Sequence, residues 1–241
     1  MNAPLLIIPL AIEWVILVTT LAPVMLVGRF ATRPRIGLTI WFATFLSAGL
    51  ATITSVLIAF WAYTDTVSSL TREEFGGASW LTVLLISFAP WLALAAGGVS
   101  LALINQRIEP LVQTANQVKP LLDLSKSPLE DFMNVQVFTV DLPFAYALAT
   151  NREILISSFA ISHLSKDELT AVLWHEFCHV KQKHFALKQL AKFIRELSPR
   201  LAASRALVTE VQRLVEIAAD QRALKNVSLS TLQRARSFFD Q

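Results

Sequence analysis

The five residues His175-Glu176-Phe177-Cys178-His179 put two imidazoles and a carboxylate within little more than one helical turn. On a helix, side chains at i and i+4 stand one above the other, so His175 and His179 can aim ring nitrogens at one ion. Zinc takes neutral imidazole readily, and two such ligands with one carboxylate leave a fourth position for water. Glu176 is turned to the side of that face, where its carboxylate can take a proton from the water. The pattern is H-E-x-x-H, and two of the chain's four histidines fall in it.

The helix that carries these residues is legible without the motif. Ser165 is a good N-cap, and Glu168 three residues later completes a capping box. Leu169, Val172, Leu173, Phe177 and Val180 then recur at helical spacing. Helix-forming sequence runs from Lys166 to Leu197 and breaks at Ser198-Pro199.

Zinc needs a third protein ligand. His184 is expected on a different face of the same helix, and His163 precedes its cap; both remain open as ligands. The better candidate lies downstream. From His179 to Pro199 is about 30 Å of helix at the standard rise, and from Pro199 on to Glu216 is about 26 Å. An antiparallel hairpin therefore returns Glu216 to the level of His179. Asp220 follows at i+4 on the same face, placed to accept the second N–H of a metal-bound histidine. A solvated acidic stripe is the plainer alternative, but the neighbours Leu214, Val215, Ile217, Ala218 and Ala219 are apolar.

His175-Glu176-x-x-His179 followed by Glu216-x-x-Ala219-Asp220 resembles the membrane-bound zinc peptidases of the M48 and M56 kind. These include HtpX-like and CAAX-prenyl proteases and beta-lactam sensor-transducer peptidases. Upstream, Leu142-Pro143-Phe144-Ala145-Tyr146-Ala147, Ile154-Leu155-Ile156-Ser157-Ser158 and Leu164-Ser165-Lys166-Asp167-Glu168-Leu169 resemble the run into their metal helix. The M56 branch fits more closely, because Pro-Phe-Ala-Tyr stands where many M48 members have an Asn-Ala-Phe pattern. The likeness covers residues 135–224. It implies a gluzincin-type domain with one Zn2+ held by His175, His179 and Glu216, Glu176 as catalytic acid/base, and Asp220 behind a ligand. It further suggests that residues 143–147 border the cleft.

Around this site the chain reads as a mainly α membrane protein. Hydrophobic residues make up 54% of it and charged residues 16%, with a net charge of +3 and a mean hydropathy of +0.52. That profile fits a membrane protein with a soluble portion. A single cysteine, Cys178, excludes an intramolecular disulfide framework; it is expected to pack as a small hydrophobe. Apolar segments at 5–27, 36–63 and 80–104 are long enough to span the hydrocarbon core. The first is read as an anchor, since it has no basic n-region and no small-residue cleavage site. Glu13 lies inside it, an ionisable group whose role is functional or merely bundle-facing.

Arg29, Arg33 and Arg35 occupy the first loop without an acid, so the positive-inside rule places that loop in the cytoplasm. The N-terminus is then outside, residues 1–104 form a transmembrane domain, and residues 105–241 form a cytoplasmic zinc peptidase domain. Residues 105–124 are expected along the membrane surface. Residues 125–128 read as a turn, and strands are expected at 135–140, 144–149 and 153–157, a small sheet beside the metal-binding helical hairpin. An edge strand beside a zinc cleft can hold an extended peptide by main-chain hydrogen bonds. Phe144, Ala145 and Tyr146 are candidate substrate contacts, although aromatic residues more often pack. Arg222 is a candidate for the oxyanion donor that peptide hydrolysis needs. Ser228, Ser230 and Thr231 cap a last short helix ending at Phe238-Phe239.

The sequence therefore predicts an integral-membrane zinc endopeptidase acting on protein or peptide substrates at the cytoplasmic face of the cell membrane. Its other expected partner is the lipid bilayer. Nucleic acid is not expected, because no recognition motif accompanies the basic excess; a homo-oligomer is left open. Two alternatives remain: a sensor whose output is cleavage of a repressor, and a non-catalytic scaffold stapled by zinc.

Overall fold

A computed structural model describes residues 7–72 and 126–239. The third predicted span at 80–104 and the predicted surface segment at 105–124 lie outside the described residues. Helix α1 (Ile7–Leu26) and helix α2 (Pro34–Arg72) carry apolar windows at Pro9–Leu26 and Pro34–Ala62, each long and apolar enough to cross a membrane. These agree with the first two expected spans. The helix of α2 continues to Arg72, past the end of the span expected at 36–63. Gly28, at φ +79, turns the chain at the end of α1, the left-handed conformation that glycine adopts without a Cβ clash. Trp14 donates to Ser47 across the two helices at 3.2 Å. Glu13 sits on the exposed surface of α1.

The sheet has four strands in the order β1-β2-β4-β3: β1 (Lys126–Pro128), β2 (Gln136–Val140), β3 (Ala147–Ala149) and β4 (Glu153–Ser157). β2 and β4 run parallel, while β1 and β3 pair antiparallel at the two edges. Two expectations are corrected here. Residues 126–128 form an edge strand where a turn was expected; a proline is tolerated there because an edge leaves N–H groups unpaired anyway. The strand expected at 144–149 is only Ala147–Ala149; beyond it the Ser157 N–H still donates to the Tyr146 carbonyl at 2.9 Å, but the return bond goes to a side chain. The Tyr146 N–H donates to Ser157 Oγ at 3.1 Å. The same oxygen accepts from Ala160 N–H and so caps the short helix α3 (Ser158–His163).

Helix α4 (Lys166–Lys181) begins at the predicted capping box, with both reciprocal Ser165–Glu168 bonds present. It does not run to Leu197. Lys183 adopts a left-handed φ of +53, and a new helix, α5 (His184–Leu197), starts beyond it. After the expected break at Ser198-Pro199, helix α6 (Ala202–Ala223) returns, and α7 (Leu229–Phe239) closes the chain.

Two apolar clusters make layers. Val135, Val137, Ile154 and Ile156 of the sheet region bury against Phe177 and Val180 of α4. Leu207, Val211 and Leu214 of α6 bury with Ala22, Leu38 and Trp41 of α1 and α2. The metal helix α4 is thus backed by the sheet, and α6 is anchored on the apolar helices. Gly37 marks how closely they meet: a Cβ there would lie 2.5 Å from Phe30 Cβ and 3.0 Å from Leu214 Cδ1.

Candidate metal centre

Helix α4 presents His175 and His179 on one face, as i, i+4 spacing dictates. Their Nε2 atoms are 3.1 Å apart. Glu216 of α6 brings Oε2 to 3.2 Å from His175 Nε2 and to 3.6 Å from His179 Nε2. Two ligand atoms on a tetrahedral zinc, each about 2.0–2.1 Å from the ion, stand about 3.3–3.4 Å apart. The spacing of the three atoms matches the edges of that tetrahedron. Among the described residues these three form a group that could hold a metal ion.

The electrostatics say the same. Burial disfavours a charge on His175, but contact with the Asp220 and Glu216 carboxylates outweighs it and lifts the imidazole pKa to about 9. Burial alone would raise Glu216; His175 and His179 instead hold its carboxyl well below the usual range. The pocket is therefore built to hold positive charge, which a proton supplies when no ion does.

Each imidazole uses Nε2 toward the centre and Nδ1 away from it. His175 Nδ1 lies 3.0 Å from Asp220 Oδ1, a close contact in which the ring N–H is not aligned on the oxygen. His179 Nδ1 lies 2.9 Å from Nδ1 of His184. Asp220, expected behind a ligand, lies against the Nδ1 edge of His175. The sequence did not foresee the position of His184, because a continuous helix would have turned that residue away. The left-handed Lys183 swings it back, fully buried, and burial pushes its pKa down to about 3. His163 is elsewhere, its ring stacked on Phe159 at 4.1 Å, with Phe238 at 6.3 Å completing the cluster.

Glu176 lines the cleft on both sides of the cluster. One lobe includes Ala147, Val172, Glu216 and Arg236; the other includes residues 147–149, His179, Lys188 and Glu216. β3 is an edge strand of the sheet, and it forms a wall of this cleft. Tyr146 precedes it, half-buried; burial and the Glu176 charge raise its phenol pKa above the ordinary value. Phe144 is exposed and meets Tyr146 edge-to-face at 6.5 Å. Ala145 is half-buried between them.

Two cations of the site were not singled out from the sequence. Lys188 Nζ pairs with Glu216 Oε1 at 2.9 Å, which leaves Oε2 to face the histidines. Arg236 of α7 lines the cleft and pairs with Asp220. The only sequence signal for Lys188 is its i+4 spacing from His184; for Arg236 there is none. Arg222, the candidate oxyanion donor, is not brought to the cleft. Its guanidinium lies over the Trp174 ring at 5.6 Å and lines a different cavity. The physical reason is helical phase: two residues past Asp220 is about 200° around the axis. Cys178 is buried as expected, and burial pushes its thiol up to about 11.

Residues 112–237 match the profile of peptidase family M48. The match supports the M48 side of the resemblance noted above and gives the M56 side no support. No curated protein matches the sequence. Among solved structures, the fold is similar to one titled "Crystal Structure of S. mikatae Ste24p", at 14% identity and a TM-score of 0.40, over 100% of this chain and 92% of that one. That likeness is too distant to carry a functional argument. The family match, in contrast, takes in over half of the chain and all three residues of the metal cluster, and the chain belongs to peptidase family M48.

Proposed function

We propose that this chain is an integral-membrane zinc endopeptidase. His175, His179 and Glu216 hold the ion, and Glu176 is the catalytic acid/base. The observation that supports it most is the convergence of three ligand atoms in a cleft that also contains a non-ligand carboxylate. A zinc staple has no use for Glu176 beside an open cleft, since structural sites are closed. Bound zinc supplies Lewis acidity, polarising a carbonyl and easing the ionisation of water.

The chain's own residues supply the rest. Glu176 takes a proton from the attacking water and returns it to the departing amine. Asp220 and His184 fix the ring orientation of His175 and His179 from behind. Lys188 neutralises the outer oxygen of Glu216 and keeps that carboxylate in one pose. β3 receives an extended peptide by main-chain pairing, with Phe144 and Ala145 at the entrance. Tyr146 keeps its proton near Glu176, which makes its phenol a donor available to a developing oxyanion. In this reading α1 and α2 cross the bilayer, a third span follows at 80–104, and the cleft faces the cytoplasm. The loop bearing Arg29, Arg33 and Arg35 then lies on the cytoplasmic side.

The test is Glu176→Gln in detergent-purified, zinc-loaded protein. Hydrolysis of an unfolded protein substrate should fall by about a hundredfold or more, while bound zinc stays equal to that of the parent. Undiminished hydrolysis would eliminate the proposed base.

A further inference from the structure

A second cavity, of about 350 Å³, shares no lining residue with the cleft. It opens between the α1–α2 loop and the C-terminal ends of α4 and α6. Its walls carry Arg33 and Arg35 from one side, and Arg222 and Lys225 from the other, with Gln182 and Gln221 between them. Four cations meet there, and among the described residues no carboxylate lines the space. The chain as a whole is nearly balanced, with 21 basic and 18 acidic residues, so composition does not impose this segregation. Like charges in one cavity repel; the carbonyl ends of α4 and α6 offset part of that repulsion, and a bound anion would offset more of it.

The walls are held in place across elements far apart in the chain. Arg35 Nε donates to Gln182 Oε1 at 3.0 Å. Gln221 donates to the carbonyl of Ala31 at 2.9 Å. The Arg222 guanidinium rests on Trp174. Guanidinium forks match tetrahedral oxyanions, and several of them converge best on a group with more than two oxygens. The volume lies within the range of small-molecule sites and admits a phosphate with an attached group.

We propose that this cavity binds a phosphate-bearing anion. A phospholipid headgroup and free inorganic phosphate present the same chemistry. The site's place at the loop between the two apolar helices favours the headgroup, since that loop meets the anionic leaflet if α1 and α2 span. Only this choice of source rests on the membrane reading; the anion site itself does not depend on the peptidase assignment.

The experiment uses the full-length, zinc-loaded protein in neutral detergent. Binding is followed by calorimetry with two probes: inorganic phosphate, and mixed micelles containing phosphatidylglycerol, with phosphatidylcholine micelles as the blank. Saturable binding is expected. The double variant Arg33→Gln/Lys225→Gln should weaken it by about tenfold or more, the loss of charge-assisted hydrogen bonds. Both side chains are exposed, so the fold should survive, and unchanged zinc content confirms that it does. Arg195→Gln/Arg200→Gln, outside the cavity, should leave binding unaltered. Tighter binding of phosphatidylglycerol than of phosphate assigns the lipid source; equal or tighter binding of phosphate assigns the free anion. The proposal is overturned if neither probe saturates, if the cavity variant binds like the parent, or if the distant variant weakens binding equally.

Discussion

The two halves of α6 are built for different purposes. The part from Ala202 to Leu214 buries Leu207, Val208, Val211 and Leu214 against α1, α2 and α5. The rest of α6 buries Ala218, Ala219 and Ala223 and carries Glu216 and Asp220 toward α4. Branched side chains fill space and set an anchor. Alanines add almost no bulk, so two helices can approach until a short aspartate reaches an imidazole on the other. One rigid element thus joins an apolar anchor to a charged centre, and the difference predicts that stability and metal affinity respond to separate substitutions.

Glu216→Ala strikes the charged half hardest. With one of three ligands gone, bound zinc should fall to background after dialysis, and hydrolysis with it, while circular dichroism keeps the helical signal. Retained stoichiometric zinc would remove Glu216 from the ligand set. Leu214→Ala strikes the anchored half. Leu214 is fully buried, so stability should drop by about 2–5 kcal/mol, read as a lower thermal midpoint. Zinc affinity of the folded fraction should stay the same. If affinity falls too, the halves are not separable and the comparison fails.

The smallest effect sharpens it through pH. In metal-free protein, His184 has a pKa lowered from 6.5 to about 3, chiefly by burial. Above pH 6.5 neither folded nor unfolded chain holds that proton. As pH falls from 6.5 toward 3, the unfolded chain takes it up and the folded one does not, so stability is lost in that window. His175 acts in the opposite sense. Its pKa is raised to about 9, so its contribution is full below 6.5 and is lost as pH rises toward 9. Thermal midpoints of metal-free protein should therefore decline on both sides of pH 6.5. His184→Gln should flatten the limb between pH 6.5 and 4.5, above the range where carboxylates titrate. An unchanged acid limb would show that His184 is not the group responsible.

Much of the site was legible because its signals are local. The capping box of Ser165 and Glu168, the periodicity after it and the i, i+4 pair depend only on helix geometry. Glu216 and Asp220 were reachable by counting helical rise, although the path assumed was wrong. The chain breaks at Lys183 with neither glycine nor proline to announce it. A left-handed lysine is an uncommon backbone state, sustained here by the packing of His184, which no local rule anticipates. Likewise, β1 hides as a turn because Lys126, Ser127 and Pro128 have no apolar alternation. It exists by pairing with β2, a partner remote from local propensity. Lys188 and Arg236 were missed for the same reason: each acquires its partner only when one helix packs on the next.

The shortness of β3 carries a final consequence. A three-residue edge can register only a brief length of backbone, and backbone looks alike in every polypeptide. If β3 receives substrate as proposed, such a grip would sort clients by whether a stretch can be drawn out straight, and hardly by the letters written along it. Frayed termini and unravelled loops would enter; intact helices and hairpins would be turned away at the door.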